Sequence, residues 1–208
     1  MKVQRAVPLG EQVAIALQRA IVTGEEPAGS ILTEEALADR FNVSRGPIRD
    51  AFRRLELQHL VEKSGRSFTV IGLQQSDLDE IYRLRARIES IAWGYLHSAG
   101  GDHRTVEEAL QRMGDAADQA DADAFAQADI DFHSAAVRLT GKRRVIAMWD
   151  NIEPSMRLIL QFTNILSDDF PNVYQRHARL LEVLRTGTED ELEIAITNHI
   201  ETSRHLLP

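Results

Sequence analysis

Residues 29–56 read GSILTEEALADRFNVSRGPIRDAFRRLE, and this stretch decides the fold. Thr33 followed by Glu34 and Glu35 is a helix opening: a hydroxyl to cap the first free N–H groups and two acids at the positive end. The helix it opens spans residues 34–41, and Asn42-Val43 turns the chain. Ser44 then caps a second helix to about Gln58, with Pro47 tolerated in its first turn. On that second helix Ile48, Ala51, Phe52 and Leu55 make one apolar face, while Arg45, Arg49 and Arg53 lie four apart and share a basic stripe. Upstream, Val13, Leu17, Ala20 and Ile21 recur at helical spacing until Gly24. Downstream, Leu60 and Val61, a turn at Ser64-Gly65, and the alternation of Phe68 with Val70 predict a two-stranded hairpin. Two helices joined by a short turn and followed by a hairpin form a winged helix-turn-helix. A basic stripe on its second helix suits phosphate and guanine contacts, and it also suits a merely solvated helix face, since Asp50 and Glu56 partly neutralise it.

The remainder of the chain differs in kind. The first 72 residues carry ten Lys and Arg against nine Asp and Glu, a net of +1, whereas residues 73–208 carry a net of −9. Six of the seven histidines fall in the second part. A boundary between Gly72 and Leu73 follows, giving a domain at 1–72 and another at 73–208. The second part is expected to form about six helices packed as an antiparallel bundle, so the fold class is mainly α. Ser76-x-x-Asp79, Thr105-x-x-Glu108 and Thr188-x-x-Glu191 read as capping boxes. On the first of these helices Ile81, Leu84, Ile88, Ile91, Ala92 and Tyr95 read as the inner face, and the fourth is expected to be disturbed at Pro154.

Composition narrows the chemistry. The 208 residues are 43% hydrophobic and 27% charged with a net charge of −8, so nucleic-acid binding requires a local basic face. With no cysteine there are no disulfides, thiolate metal sites or Cys nucleophiles. No apolar run is long enough to span a membrane and no secretory leader is evident, so a cytoplasmic location is expected. Asp129 and His133 stand at i and i+4, His177 precedes Leu180, Leu181 and Leu184, and His199 lies beside Ile196 and Ile200. Three imidazoles and a carboxylate from three helices can converge on a divalent ion, with Zn, Ni, Mn and Fe all compatible. Each imidazole taken singly is more often a hydrogen-bonded helix histidine than a metal ligand. Tyr82, Trp93, Trp149, Met156 and Phe162 read as core, with pocket lining as the other possibility. His97, His103 and His205 read as surface or cap residues.

Two resemblances sharpen this reading. Leu32, Leu37-Ala38, Val43-Ser44-Arg45-x-Pro47-x-Arg49-x-Ala51 and Leu55-Glu56 resemble the signature of GntR-family bacterial transcription regulators. The resemblance implies operator contacts from Arg45 and Arg49 and minor-groove contact from the wing tip around Gly65 and Arg66. With the stripe and the caps, the candidate DNA contacts are Thr33, Ser44, Arg45, Arg49, Arg53, Gly65 and Arg66. His59 departs from the family, which places Gly there. In the second part, Tyr82-x-x-Arg85-x-x-x-Glu89, Asp129-x-x-Phe132-His133, Thr140-Gly141 and the two late histidines resemble the FCD ligand-binding domain of the FadR subfamily, in its six-helix VanR-like variant. Lys142 departs, where the family often has Asn. This resemblance implies Asp129, His133, His177 and His199 as metal ligands and a small organic-acid effector, with Arg85 able to clamp the acid or to pair with Glu89. It further implies a homodimeric regulator, a repressor by expectation, on an inverted-repeat operator. Two other functions share the same ligands: a sensor in which the ion is the signal, and a metal-dependent enzyme with a DNA-binding appendage. Against the enzyme, no separate general base and no nucleophile motif is present.

Overall fold

The computed structural model describes residues 7–72, 74–166 and 169–204, with the side chains of 161–166 and of 204 outside that description. Leu73, His205 and the side chain of Phe162, named above, fall outside it. The chain separates into two compact units, Met1–Gln75 and Ser76–Pro208.

In the first unit α1 (Leu9–Val22) packs on α3 (Arg45–Leu57), burying Val13, Leu17 and Ile21 against Ile48, Ala51, Phe52 and Leu55. The second helix, α2 (Glu34–Phe41), has the expected bounds. The Thr33 hydroxyl accepts the Ala36 N–H at 3.2 Å, and Asn42 ends the helix in the left-handed region at φ 51°. Ser44 stands at the N-cap position of α3 without a side-chain cap bond. The sheet has three strands rather than the two expected, in the order β1-β3-β2. The additional strand is β1 (Ile31–Thr33), which pairs antiparallel with β3 (Ser67–Val70) in the register Leu32↔Phe68. Three residues are too few to show alternation, and only the pairing with β3 defines them as a strand. The hairpin of β2 (Val61–Ser64) and β3 closes through Gly65 at φ 63°, the first central position of a two-residue turn, where glycine is favoured. The Phe68 ring stacks on Phe52 at 3.9 Å, fastening the wing to α3.

The second unit is six helices among the described residues: α4 (Gln75–Ala99), α5 (Arg104–Asp118), α6 (Ala122–Leu139), α7 (Arg143–Leu166), α8 (Phe170–Thr186) and α9 (Glu189–Arg204). Short connections at 119–121 and 140–142 fold α5, α6 and α7 into successive hairpins. Helix α7 runs through Pro154. The Thr188–Glu191 box forms, with Glu191 Oε2 accepting the Thr188 N–H and Thr188 Oγ1 accepting the Glu191 N–H. The Thr105 box does not: α5 begins two residues earlier than that cap implies, with His103 at its N-cap position and Asp102 accepting the Arg104 N–H at 2.9 Å. The inner face of α4 also differs from expectation. Tyr82, Arg85, Ile88, Glu89, Ala92, Trp93 and Leu96 are buried, while Leu84, Ile91 and Tyr95 are exposed. Arg85 and Glu89 pair with each other, so the buried stripe carries two charges that an apolar pattern places outside.

Candidate functional site

Four helices of the second unit bring their polar residues to one buried point. Helix α6 supplies Asp129 and His133 from adjacent turns, α8 supplies His177, α9 supplies His199, and α4 supplies Arg85 and Glu89. All six are buried. His133 Nδ1 donates to Glu89 Oε2 at 2.6 Å, and His177 Nδ1 donates to the Val173 carbonyl at 2.7 Å. With each Nδ1–H so engaged, the neutral rings turn their Nε2 lone pairs inward. The two Nε2 atoms lie 3.1 Å apart, and 3.3 Å (His133) and 3.2 Å (His177) from Asp129 Oδ1. Three acceptors thus face one another with no donor among them. Ligands about 2.1 Å from a shared cation at tetrahedral or octahedral angles are roughly 3.0–3.4 Å apart, the same spacing. His199 completes the cluster. Its two ring nitrogens have no hydrogen-bond partner among the described residues, and a ring nitrogen from each histidine lies within 4.8 Å of the other two. The donor set therefore fits a divalent transition ion by residue type, spacing and outer hydrogen bonding.

The electrostatics agree for Asp129, His177 and His199, and oppose a neutral ring for His133. Burial raises the Asp129 carboxyl, but His177 and His133 pull it well below the ordinary range, so it is an anion. Burial, and then the neighbouring imidazoles and Arg85, hold His199 far below its usual value, leaving a neutral ring with a free lone pair. Burial likewise lowers His177. For His133 burial is outweighed by the Glu89 charge and the pKa rises. Burial opposes ionisation of Glu89, but the charges and hydrogen bonds of His133 and Arg85 hold its carboxyl at about 2.

Of the two sequence readings of Arg85, the pairing with Glu89 is present. Its Nε donates to Glu89 Oε1 at 2.7 Å, and its Nη2 to His133 Nε2 at 2.7 Å, the same lone pair a cation would use. Its Nη1 is buried with no partner among the described residues. Trp93, Trp149 and Met156 are fully buried core, with Trp149 donating to Ser134 Oγ at 3.0 Å. His97 touches the Leu184 carbonyl at 3.3 Å, and His103 is buried at the start of α5.

The first unit presents the basic face. Thr33, Arg45, Gly65 and Arg66 line one cleft of about 520 Å³ between α2, α3 and the wing, together with Glu34, Glu35 and Lys63. Arg49 is exposed beside that cleft and pairs with Glu34 at 3.0 Å; Arg45 pairs loosely with Glu35 at 3.7 Å. Arg53 is exposed further along α3, 3.7 Å from Asp50, and Ser44 is exposed at the head of the helix. These two do not line the cleft.

Comparison with known proteins matches this arrangement to two family models. One, described as the FCD domain, matches residues 80–202, more than half the chain. The other, described as bacterial regulatory proteins of the gntR family, matches residues 9–71. The chain belongs to the GntR family of transcription regulators and carries an FCD domain. Among curated GntR relatives, the gluconate operon transcriptional repressor of Bacillus licheniformis is 29% identical, covering 87% of this chain and 77% of its own. The galactonate operon transcriptional repressor of Escherichia coli is 27% identical, covering 95% and 96%. A GntR regulator from Rhodococcus sp. RHA1 shares the fold with a TM-score of 0.69 at 24% identity, over 94% of this chain and 95% of its own. The relatives are regulators rather than enzymes, and no described helix of this GntR protein is long and apolar enough to cross a membrane.

Two residues at these sites escape a sequence reading of the GntR chain. Lys63 gives no pattern of its own on a four-residue strand, although its place two residues before the Gly65 turn was a usable signal. Arg176 reads as one more charge on α8, although it sits three residues after Val173 and four before Leu180, both buried.

Proposed function

We propose that this regulator represses transcription by gripping an operator through α3 and the wing, and that a divalent cation held by Asp129, His133, His177 and His199 anchors a small organic-acid effector in its FCD domain. The observation that carries the sensing half is the set of three mutually facing acceptors, two of them imidazole nitrogens turned inward by bonds on their other side. A bound cation supplies a Lewis-acidic position for a carboxylate oxygen. Around it this chain's own residues act as follows. Glu89 and the Val173 carbonyl fix two ring orientations, Arg85 offers its unpartnered Nη1 to the acid, and the bundle core excludes bulk water. The sugar acids named in the two relatives above support the effector class, and their names support repression.

For the DNA half, Arg45, Arg49 and Arg66 offer charge to phosphates and forks to base edges, with Thr33, Ser44, Arg53 and Gly65 as further contacts. Two such heads on a homodimer match an inverted repeat with half-sites about one helical turn apart. The effector shifts operator affinity by as much as it binds one arrangement of the dimer better than the other.

One experiment on the full chain tests both halves: operator binding and bound-metal content of the parent, Arg49→Ala and His177→Ala. Arg49→Ala should lose at least about 1 kcal/mol of operator binding at unchanged metal content. His177→Ala should retain the operator but not the ion. Equal metal content in His177→Ala and parent removes the cation site, and unchanged operator affinity in Arg49→Ala removes the α3 assignment.

A further inference from the structure

The cluster leaves a second group of polar atoms unexplained. The Tyr82 hydroxyl, Arg85 Nη1, and both Nε and Nη1 of Arg176 are shut off from solvent with no hydrogen-bond partner among the described residues. Burying several donors without acceptors is costly, and such atoms are rare in folded proteins. Here they are concentrated. Tyr82 and Arg85 are one turn apart on the inner face of α4, with the Arg85 guanidinium carbon 5.9 Å from the Tyr82 ring centre. Arg176 directly precedes His177 on α8. Tyr82, Arg85, Arg176 and Asp129 are close enough for their charges to act on one another. Asp169, which caps α8, also attracts Arg176. A groove of about 680 Å³ between α8 and α9 is bounded by Arg176 and His199, while Tyr82 and Arg85 lie behind it on α4. It is ample for an acid of several carbons.

Arg85 is already half-committed to Glu89 and His133, and a single carboxylate at the cluster would leave the other donors unmet. The unmet groups are guanidinium and phenol, which ask for oxygen. We infer that Arg176 and the Tyr82 hydroxyl are specificity-determining residues that read the tail of the bound acid, selecting effectors with oxygen acceptors beyond the anchoring carboxylate over those with a hydrocarbon tail. The inference rests on the proposed acid-binding reading and adds to it which acids are preferred. The shared chemistry is an oxygen-bearing tail, and two kinds supply it: the hydroxyls of a sugar acid and the second carboxylate of a diacid.

The test is calorimetric titration of the full-length, metal-supplemented protein with acetate, butyrate, gluconate and succinate, in the parent, Arg176→Gln and Tyr82→Phe. Acetate has no tail and reports the anchor alone. The parent should bind gluconate or succinate at least about tenfold more tightly than butyrate, and whichever of the two is preferred identifies the tail. Arg176→Gln should erase most of that ratio, and Tyr82→Phe part of it, while acetate affinity and metal content stay as in the parent. A gluconate-to-butyrate or succinate-to-butyrate ratio unchanged by Arg176→Gln overturns the inference while acetate binding upholds the acid site. Failure of every acid to bind the parent overturns both.

Discussion

His133 shows how one residue is held in its role by others. Its Nδ1 leans on Glu89, and Glu89 leans on Arg85, all within the bundle core. Removing one member of a buried charged set strands the rest, at about 3–5 kcal/mol. Glu89→Gln should therefore lower unfolding stability by that order in denaturant titration. Its pH dependence follows from direction. The folded carboxyl stands at about 2 against an ordinary 4.5. Because the folded value is lower, the stabilisation is complete above 4.5 and disappears as pH falls through about 2. The acid limb between those values should be shallower in Glu89→Gln than in the parent, and parallel limbs would contradict the charged assignment. Spacing made Asp129 and His133 readable, because i and i+4 share a helix face whatever the tertiary structure. Arg176 was not readable, since a lone arginine on an amphipathic helix looks the same solvated or half-buried.

Among the elements, α2 and α4 mark the two extremes. The bounds of α2 follow from local chemistry alone, a threonine cap at one end and a left-handed asparagine at the other. The orientation of α4 depends on partners far away in sequence. Glu89 is buried because His133, forty-four residues on, donates to it, and a search for apolar periodicity rotates the helix toward Leu84, Ile91 and Tyr95 instead. The end of α3 carries a different cost. His59 is exposed in the left-handed region at φ 55°, a conformation that favours glycine. A left-handed non-glycine costs about 1–2 kcal/mol, partly offset by the greater unfolded freedom of glycine. His59→Gly should accordingly stabilise the first unit by roughly 0.5–1 kcal/mol. Thermal unfolding measures this, and a lower transition temperature would mean that His59 contributes something the strain argument omits.

For the whole molecule, the division of charge and histidine along the chain anticipated two units with different chemistry. It could not supply the third strand or the α8–α9 groove, which arise only when segments meet. All four proposed ligands belong to the unit at 76–208. A ligand that binds only the folded state stabilises the unit that holds it. Chelation should thus lower the calorimetric transition of that unit and leave the transition of the DNA-binding unit in place. A joint shift of both would show that they unfold as a single cooperative block.

The aromatic packing has a practical consequence. The chain has two tryptophans, both in the unit at 76–208. The Trp93 ring lies 5.6 Å from Phe132, whose edge meets His133 and His177 at 5.3 and 5.0 Å. An open-shell ion held by the proposed ligands, one aromatic ring away from the indole, would be expected to quench its emission. Unlabelled fluorescence would then report loading of the proposed ion site, and a change in that signal on adding operator would report coupling between the two units.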